Sequence, residues 1–339
     1  MTTDGDGPTH DYLGERVTSR QLLERYNPIL VLHPRDATLK RPGSWLPTGR
    51  GDYHPSTAEF FISRLAWYPK QRGFLRGASK KQPEAAGFIR SKVVETQGGT
   101  DGWEIDIAEY SSGDSDAAWT AYGRWLQSEE EARKCVTYAR CIPDGGRLAL
   151  QYWYLYIYND AGNTHEGDWE MASIELDPAS GPVQVGYAGH AGGARRSWPD
   201  ISKDGDRPLV FVARGSHAAY LNHMPKGHKS LHLELDKGLP PPIKQVAHLF
   251  QNVAMRTVYF WGVRDHTPPP DKGEQITPDV RLIPDSAPVD DEDWWWMNLN
   301  CRWGSSHARI SDFKAPFPPW QKPDKWLTPV AWINRQNLR

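Results

Sequence analysis

The chain has 339 residues, with 40 Lys and Arg against 42 Asp and Glu for a net charge of −2. Charge this balanced gives no long-range pull toward nucleic acid or an anionic membrane, and no basic run is interleaved with aromatics. Apolar residues make up 38%, with 16 Trp, 14 Tyr and 9 Phe; this is ample for a core, and large β-sandwiches absorb such lengths into one unit, read here as 18–339.

Met1 to His10 is polar and acidic, without the charged-then-apolar pattern of a signal peptide. Residues 1–17 read as a disordered tail. No segment reaches the apolar length that crosses a bilayer. Ser19 to Tyr26 reads as a short helix capped by Ser19 and ended by Pro28, and Ile29 to His33 as a strand. Ser56 and Glu59 form a capping box ahead of Phe60, Phe61 and Leu65, which predicts a helix to about Trp67. Residues 70–147 mix basic and polar loops with Trp103, Trp119 and Trp125, and carry a short helix capped by Ser128 with Glu131. This stretch reads as an insertion over one sheet edge, a lid. From Leu148 onward strands dominate, at 148–158, 168–176, 182–188, 208–213, 229–235 and 256–263. Lys244 to Val253 has helical spacing. The acidic stretch 284–293 is a loop, and 294–300 with 315–329 wraps the domain. Cys135, Cys141 and Cys301 are odd in number and lack a Cys-x-x-Cys spacing, so neither a disulfide framework nor a zinc ribbon is favoured. A reduced, cytoplasmic protein is the expectation.

The chemistry concentrates in Tyr152-Trp-Tyr-Leu-Tyr-Ile-Tyr-Asn-Asp160 and His165-Glu-Gly-Asp-Trp-Glu170. Aromatic and β-branched residues bounded by Asn, Asp and Gly form a strand. Alternation puts Tyr152, Tyr154, Tyr156 and Tyr158 on one face, with Asp160 on the same parity. Asp168 and Glu170 are two apart in the next strand, roughly 6.6 Å between Cα atoms, and Trp169 faces the other way. Carboxylates gathered this closely repel unless a positive charge sits among them. Asp160, His165, Asp168 and Glu170 are therefore a candidate cation site.

His165-Glu-Gly-Asp-Trp-Glu170, Ala213-Arg-Gly-Ser-His-Ala218, Arg302-Trp-Gly304 and Pro318-Pro-Trp320, with the opening Asn27-Pro-Ile-Leu-Val-Leu-His-Pro34, resemble the Vps62-like family (vacuolar protein sorting-associated protein 62). The resemblance covers about residues 26 to 333. A more remote similarity links the chain to the necrosis- and ethylene-inducing peptide-like proteins, β-sandwich cytolysins with a Gly-His-Arg-His-Asp-Trp-Glu heptapeptide. Their divalent cation is held by the first His, the Asp and the Glu of that heptapeptide and by an Asp of the preceding aromatic strand. Carried across, these imply His165, Asp168, Glu170 and Asp160. Thr164 stands where the heptapeptide has its leading Gly, and Gly167 where it has its second His. The fold expected is mainly β, an antiparallel sandwich with peripheral helices.

Two further stretches end in ligand-type residues. Val210-Phe-Val-Ala213 runs into Arg214-Gly-Ser-His217, where Gly215 allows a tight turn and Ser216 can cap a following short helix. Val185-Gly-Tyr-Ala-Gly-His190 brings His190 to a strand mouth among glycines. Three carboxylates with one imidazole suit Mg²⁺, Mn²⁺ or Ca²⁺. Convergence of His190 and His217 would favour Zn²⁺, Mn²⁺ or non-haem Fe²⁺ instead.

Two functions follow. A metal-assisted hydrolase, lyase or non-haem iron oxygenase would use His190 or His217 to move a proton and Arg214 to steady negative charge, on a small polar, glycosylated or lipid-like substrate. The alternative is a non-catalytic, divalent-metal-dependent binder of a sugar or lipid headgroup, for which the surplus of Trp supplies stacking surface. No phosphate-cradling or dinucleotide glycine loop is present, which excludes kinases and nicotinamide enzymes. The enzyme is the favoured expectation.

Overall fold

The computed structural model describes residues 5–33, 53–69, 86–98, 103–110, 114–160, 164–189, 192–224, 266–304 and 317–338. His190, the strands expected at 229–235 and 256–263, and the helix expected at 244–253 lie outside them.

The elements in chain order are β1 (Thr9–Tyr12), β2 (Glu15–Thr18), α1 (Ser19–Arg25), β3 (Ile29–Leu32), α2 (Ala58–Ser63), β4 (Leu65–Pro69), α3 (Ala86–Glu95), β5 (Trp103–Ile107), α4 (Ser115–Ser128), α5 (Glu130–Arg133) and β6 (Val136–Asp144). There follow β7 (Arg147–Asn159), β8 (His165–Asp177), β9 (Gly181–Gly189), β10 (Gly192–Ser197), β11 (Lys203–Asp204), β12 (Arg207–Val212), β13 (Ala219–Tyr220), β14 (Glu274–Ile276), β15 (Asp279–Leu282), α6 (Pro323–Trp326), α7 (Pro329–Arg335) and β16 (Asn337–Leu338).

The chain is mainly β. Its larger sheet has seven strands in the order β15-β6-β7-β8-β9-β10-β16, and a second has β11-β12-β3-β14, with β13 paired to β12. The interior of the large sheet is antiparallel, as expected. Its two edges are not: β15 joins β6, and β16 joins β10, in parallel, and β3 pairs β12 in parallel. The two sheets meet through Tyr187, whose hydroxyl donates to the Leu209 carbonyl at 3.3 Å.

β7 is buried on both faces from Leu148 to Asn159, and a doubly covered strand carries apolar and aromatic residues almost without alternation. Its even-numbered tyrosines share one face. The Tyr152 hydroxyl donates to the Leu23 carbonyl at the end of α1 (3.0 Å), while Tyr158 packs against Tyr53 and Tyr110. The opposite face receives the C-terminal segment: Trp153 meets Trp326, and the Gln151 amide donates to the Lys325 carbonyl (2.6 Å). Tyr138, Trp169, Trp294, Trp296, Trp303, Trp320 and Trp326 continue this side as a net of tilted and edge-to-face rings, 5.3 to 6.4 Å between centroids. Such pairs contribute about 0.5–1.5 kcal/mol each beyond their burial, which fastens the irregular 294–304 and 317–335 stretches to the sheet.

Several sequence expectations are corrected here. The first residues are not a disordered tail from 5 onward: β1 and β2 form a hairpin, held because Tyr12 is buried and its hydroxyl meets that of Tyr26 at 2.6 Å. Thr18 rather than Ser19 caps α1, closing a capping box with Gln21, because Ser19 Oγ is engaged by His10 Nε2 (2.9 Å). Thr57 rather than Ser56 caps α2, since the Ser56 N–H donates to the Leu155 carbonyl, on β7 beyond its Trp153–Tyr138 pair with β6. α2 stops at Ser63, and the chain turns into β4, which pairs with β5. Ser128 ends α4 instead of starting a helix. Residues 136–144, assigned above to an insertion, are β6, a member of the large sheet. All three cysteines are free thiols. Among the described residues no helix is long and apolar enough to cross a membrane.

Gly167 sits in β8 with φ +67°, and a Cβ there would overlap the Trp303 carbonyl. Gly304, φ +106°, is equally confined by the Glu166 backbone. The two glycines let the 302–304 stretch press backbone to backbone on the opening of β8. Gly167→Ala combines left-handed strain with that overlap and should cost ~2 kcal/mol or more. A urea titration within 0.5 kcal/mol of wild type would contradict this close approach.

Candidate functional site

The β7–β8 ladder pairs Tyr158 with Glu166, Tyr156 with Asp168 and Tyr154 with Glu170. The antiparallel register therefore lines three carboxylates along the tyrosine face. Asp160, Glu166 and Asp168 are buried, as are Asn159 and His165, and ionised groups so far from water need charge or hydrogen-bond compensation.

The compensation for Asp168 comes from a turn 49 residues on. Ala213 to Ala218 closes on itself, with the His217 N–H donating to the Ala213 carbonyl (2.9 Å) and the Ala213 N–H to that of Ala218 (3.0 Å). The end of β7 grips this turn: the Asp160 N–H donates to the Gly215 carbonyl at 2.7 Å, and the Asn159 amide to the Ser216 carbonyl at 3.4 Å. Gly215 takes φ +78° and His217 φ +56°. A left-handed histidine is uncommon, and such outliers persist where surrounding structure over-determines them. Here the geometry aims the imidazole at β8. Its Nδ1 lies 3.1 Å from Asp168 Oδ2, and the Asn159 amide donates to the same oxygen at 3.0 Å. The ring lies flat on Tyr156, centroids 4.1 Å apart and planes 5° apart, with Tyr53 edge-on at 6.0 Å.

With Asp168 ionised, only an Nδ1–H can complete the bond, so the neutral ring of His217 carries its proton on Nδ1 and a lone pair on Nε2. His165 is held in the same sense, its Nδ1 3.2 Å from the Glu166 carbonyl. Burial alone would raise the Asp168 pKa. The bond from His217, the positive charge that His165 and His217 carry when protonated, and the Asn159 amide outweigh it and hold the carboxyl below its ordinary value.

The structure thus joins Asp168 to His217, brings His165 within electrostatic reach of Asp168, and ties Asp160 to the same turn through its backbone. Glu170 is half-buried one pair further along, opposite Tyr154. Its charge, with that of Asp168, supports the Lys322 ammonium, which burial and Lys325 pull down to about 8. Arg214 begins the turn, but its N–H donates to the His266 carbonyl (2.9 Å) and its charge acts on His33. No helix follows Ser216; the turn leads into β13. Asn159 and Tyr53 belong to the centre and were not singled out from sequence, whereas alternation had put Tyr156 on the face it occupies. Asn159 was legible as the polar residue ending an aromatic strand, whereas Tyr53 had no signal.

The expected cation can be tested against these side chains. The donor types suit a divalent ion, since two buried imidazoles have Nδ1 turned to oxygen, the orientation that leaves Nε2 to a metal. The arrangement does not: among the described residues no three His, Cys, Asp or Glu side chains are placed to hold one, and Asp168 Oδ2 is committed to His217 and Asn159.

No family model matches the chain, and no curated protein does. One solved structure, described as "Toxin fold for microbial attack and plant defense", is similar at 21% identity over 27% of this chain and 51% of that one, with a TM-score of 0.24. The chain thus spans about half the length of that structure, and the likeness is too slight to bear on fold or function.

A carboxyl whose pKa falls on folding adds stability that is complete above its unfolded value, ~3.9, and is lost as pH drops through the lower folded value. Asp168→Asn should therefore cost about 2–3 kcal/mol at neutral pH and flatten the acid limb of stability. Urea midpoints from pH 7 to pH 2 should converge for the two proteins at the acid end; parallel curves would contradict the assignment.

Proposed function

We propose that the chain is an enzyme in which Asp168 and His217 move a proton, acting on a small polar, glycosylated or lipid-like substrate. The observation that carries this reading is the buried Asp168–His217 bond, made from a histidine in left-handed backbone. Asp168 orients the ring and stabilises the imidazolium that forms when Nε2 takes a proton, the division of labour of acid–histidine pairs generally. Tyr156 fixes the plane of the ring, and Asn159 fixes the carboxylate. These groups are clamped from two strands and a hydrogen-bonded turn, which limits the reorganisation that proton transfer requires.

Kinship with the Vps62-like family is part of the proposal. The 165–170, 213–218 and 302–304 stretches that carry the resemblance are far apart in sequence and assemble at one end of β8, which supports reading them as one functional unit. Hydrolysis of chromogenic esters, phosphoesters and glycosides is the direct test. Turnover of one class should fall about a hundredfold or more in His217→Gln, in protein that circular dichroism shows to be folded. Turnover indifferent to His217, or none in any class, would contradict the proposal.

The density of buried carboxylates favours a second reading, in which Asp160, His165, Asp168 and Glu170 hold Mg²⁺, Mn²⁺ or Ca²⁺, or Zn²⁺ or Fe²⁺ with His190 and His217, and the ion holds a sugar or lipid headgroup without catalysis. It requires Asp168 to leave His217. Divalent ions would then raise the melting temperature, and Asp168→Ala would abolish the increase. Stoichiometric iron or zinc in the purified protein favours chemistry, whereas exchangeable calcium with glycolipid affinity favours binding. A melting temperature insensitive to every divalent ion removes this reading.

A further inference from the structure

The chain ahead of α1 folds back onto it as the β1–β2 hairpin. Leu13 and Gly14 take φ +52° and +81°, the left-handed pair a two-residue hairpin turn requires, and leave Tyr12 opposite Glu15. The Leu13 N–H donates to the Pro178 carbonyl (2.7 Å), and the Ser19 and Arg20 N–H groups donate to the Pro8 and Asp6 carbonyls (2.8 and 3.0 Å). Within β1, His10 is buried, and among the described residues its ring makes one hydrogen bond, from Nε2 to Ser19 Oγ at 2.9 Å. The single hydroxyl proton of Ser19 is already given to the Pro8 carbonyl (3.1 Å). His10 must therefore donate from Nε2, and its neutral ring keeps a lone pair on Nδ1.

We infer that the β1–β2 hairpin is an acid-released strap with His10 as its latch, independent of whether the Asp168–His217 pair is catalytic. A proton added at Nδ1 makes the ring a cation in a buried place, and no carboxylate among the described residues bonds to it. Across the hairpin stands Arg16, itself positive and bonded to Asp11 (3.1 Å). In the approach to β1, Asp6 is engaged by Arg20 (3.8 Å), which also holds Glu24 of α1 (3.4 Å). Glu15 stands at the far end of the hairpin, and on the β8–β9 turn Asp177 is held by Arg147. On β6, burial pushes the Cys141 thiol up to about 12, which leaves it neutral.

The electrostatics agree with this geometry. Burial lowers the His10 pKa most, and the charge of Arg16 lowers it further. A histidine that folding holds neutral adds stability that is complete above its unfolded value, ~6.5, and is lost as pH falls from there toward the folded value. The loss falls on the hairpin, because the His10–Ser19 bond joins β1 to the first residue of α1. Release withdraws Tyr12, which lies edge-on against Tyr26 at 6.3 Å. It also opens the cleft that Tyr12, Leu13 and Val17 share with Leu22 and Arg25. Mild acid thus uncovers an apolar flank of α1.

Hydrogen exchange of the full chain, corrected for intrinsic amide rates, reads the strap directly. Between about pH 7.5 and pH 5.5, protection of β1 and β2 should fall about three- to tenfold, while β7 keeps its protection. His10→Gln, whose amide can still donate to Ser19 but cannot gain a proton, should show no such fall. Unchanged protection in the wild type, or an equal fall in His10→Gln, overturns the inference. If His10→Gln already loses protection near pH 7.5, an NMR titration of the histidine-labelled wild type decides. His10 should then titrate below ~6.5, with the hairpin amides shifting at the same midpoint. A midpoint at or above ~6.5, or hairpin amides that do not follow His10, overturns it equally.

Discussion

Asp160, Glu166 and Asp168 are carboxylates held out of water where β7 meets β8, and the local architecture is organised around the cost of keeping them there. A lone buried carboxylate would be neutralised or would drag water into the core. For Asp168 the remedy is specific: an imidazole from a remote turn and an amide from the neighbouring strand meet one oxygen. The turn must take a left-handed step at His217 to deliver that imidazole, and the end of β7 must bind the turn through Asn159 and Asp160 to hold it. Removing any one of these elements exposes the charge problem again, so the fold and the candidate chemistry share a single cause.

The two faces of the large sheet divide the work. The tyrosine face carries the polar centre, where Tyr156 lies flat beneath His217. The opposite face carries the Trp net, which anchors the C-terminal wrap and leads to the Gly167–Trp303 and Glu166–Gly304 backbone contacts. β8 contributes to both, since Asp168 looks one way and Trp169 the other. The Trp residues described here are largely core, and the stacking surface that a glycan binder would use is not where most of them lie.

Much of this was readable in the sequence where the local signal was strong. The runs that became β7, β9 and β12 carry aromatic or β-branched residues between turn residues, and β8 was readable from the alternation of Asp168, Trp169 and Glu170. The alternation of Tyr152 to Tyr158, and of Asp168 with Trp169, followed from period two alone. β6 was hidden because Arg140 and Pro143 interrupt its pattern; Arg140 is buried against Trp326, 3.7 Å from the ring, and reaches Asp285, a tertiary arrangement no local rule supplies. The caps of α1 and α2 each slipped by one because adjacent hydroxyl residues, Thr18-Ser19 and Ser56-Thr57, satisfy the same motif, and long-range bonds to Ser19 and Ser56 decide between them. Gly167, noted as a departure from the cytolysin heptapeptide, has a structural reason: a side chain there has no room beside Trp303. The pairing of Asp168 with His217 depended on fold and could be posed from sequence only as a question.

The central claim is that Asp168 fixes the ring proton of His217 on Nδ1. Long-range ¹H–¹⁵N spectra of histidine-labelled protein at neutral pH report that tautomer directly. The account predicts that the neutral form of His217 carries its proton on Nδ1, with the preference lost in Asp168→Asn. A proton on Nε2 in the wild type, or a tautomer indifferent to Asp168, would contradict it.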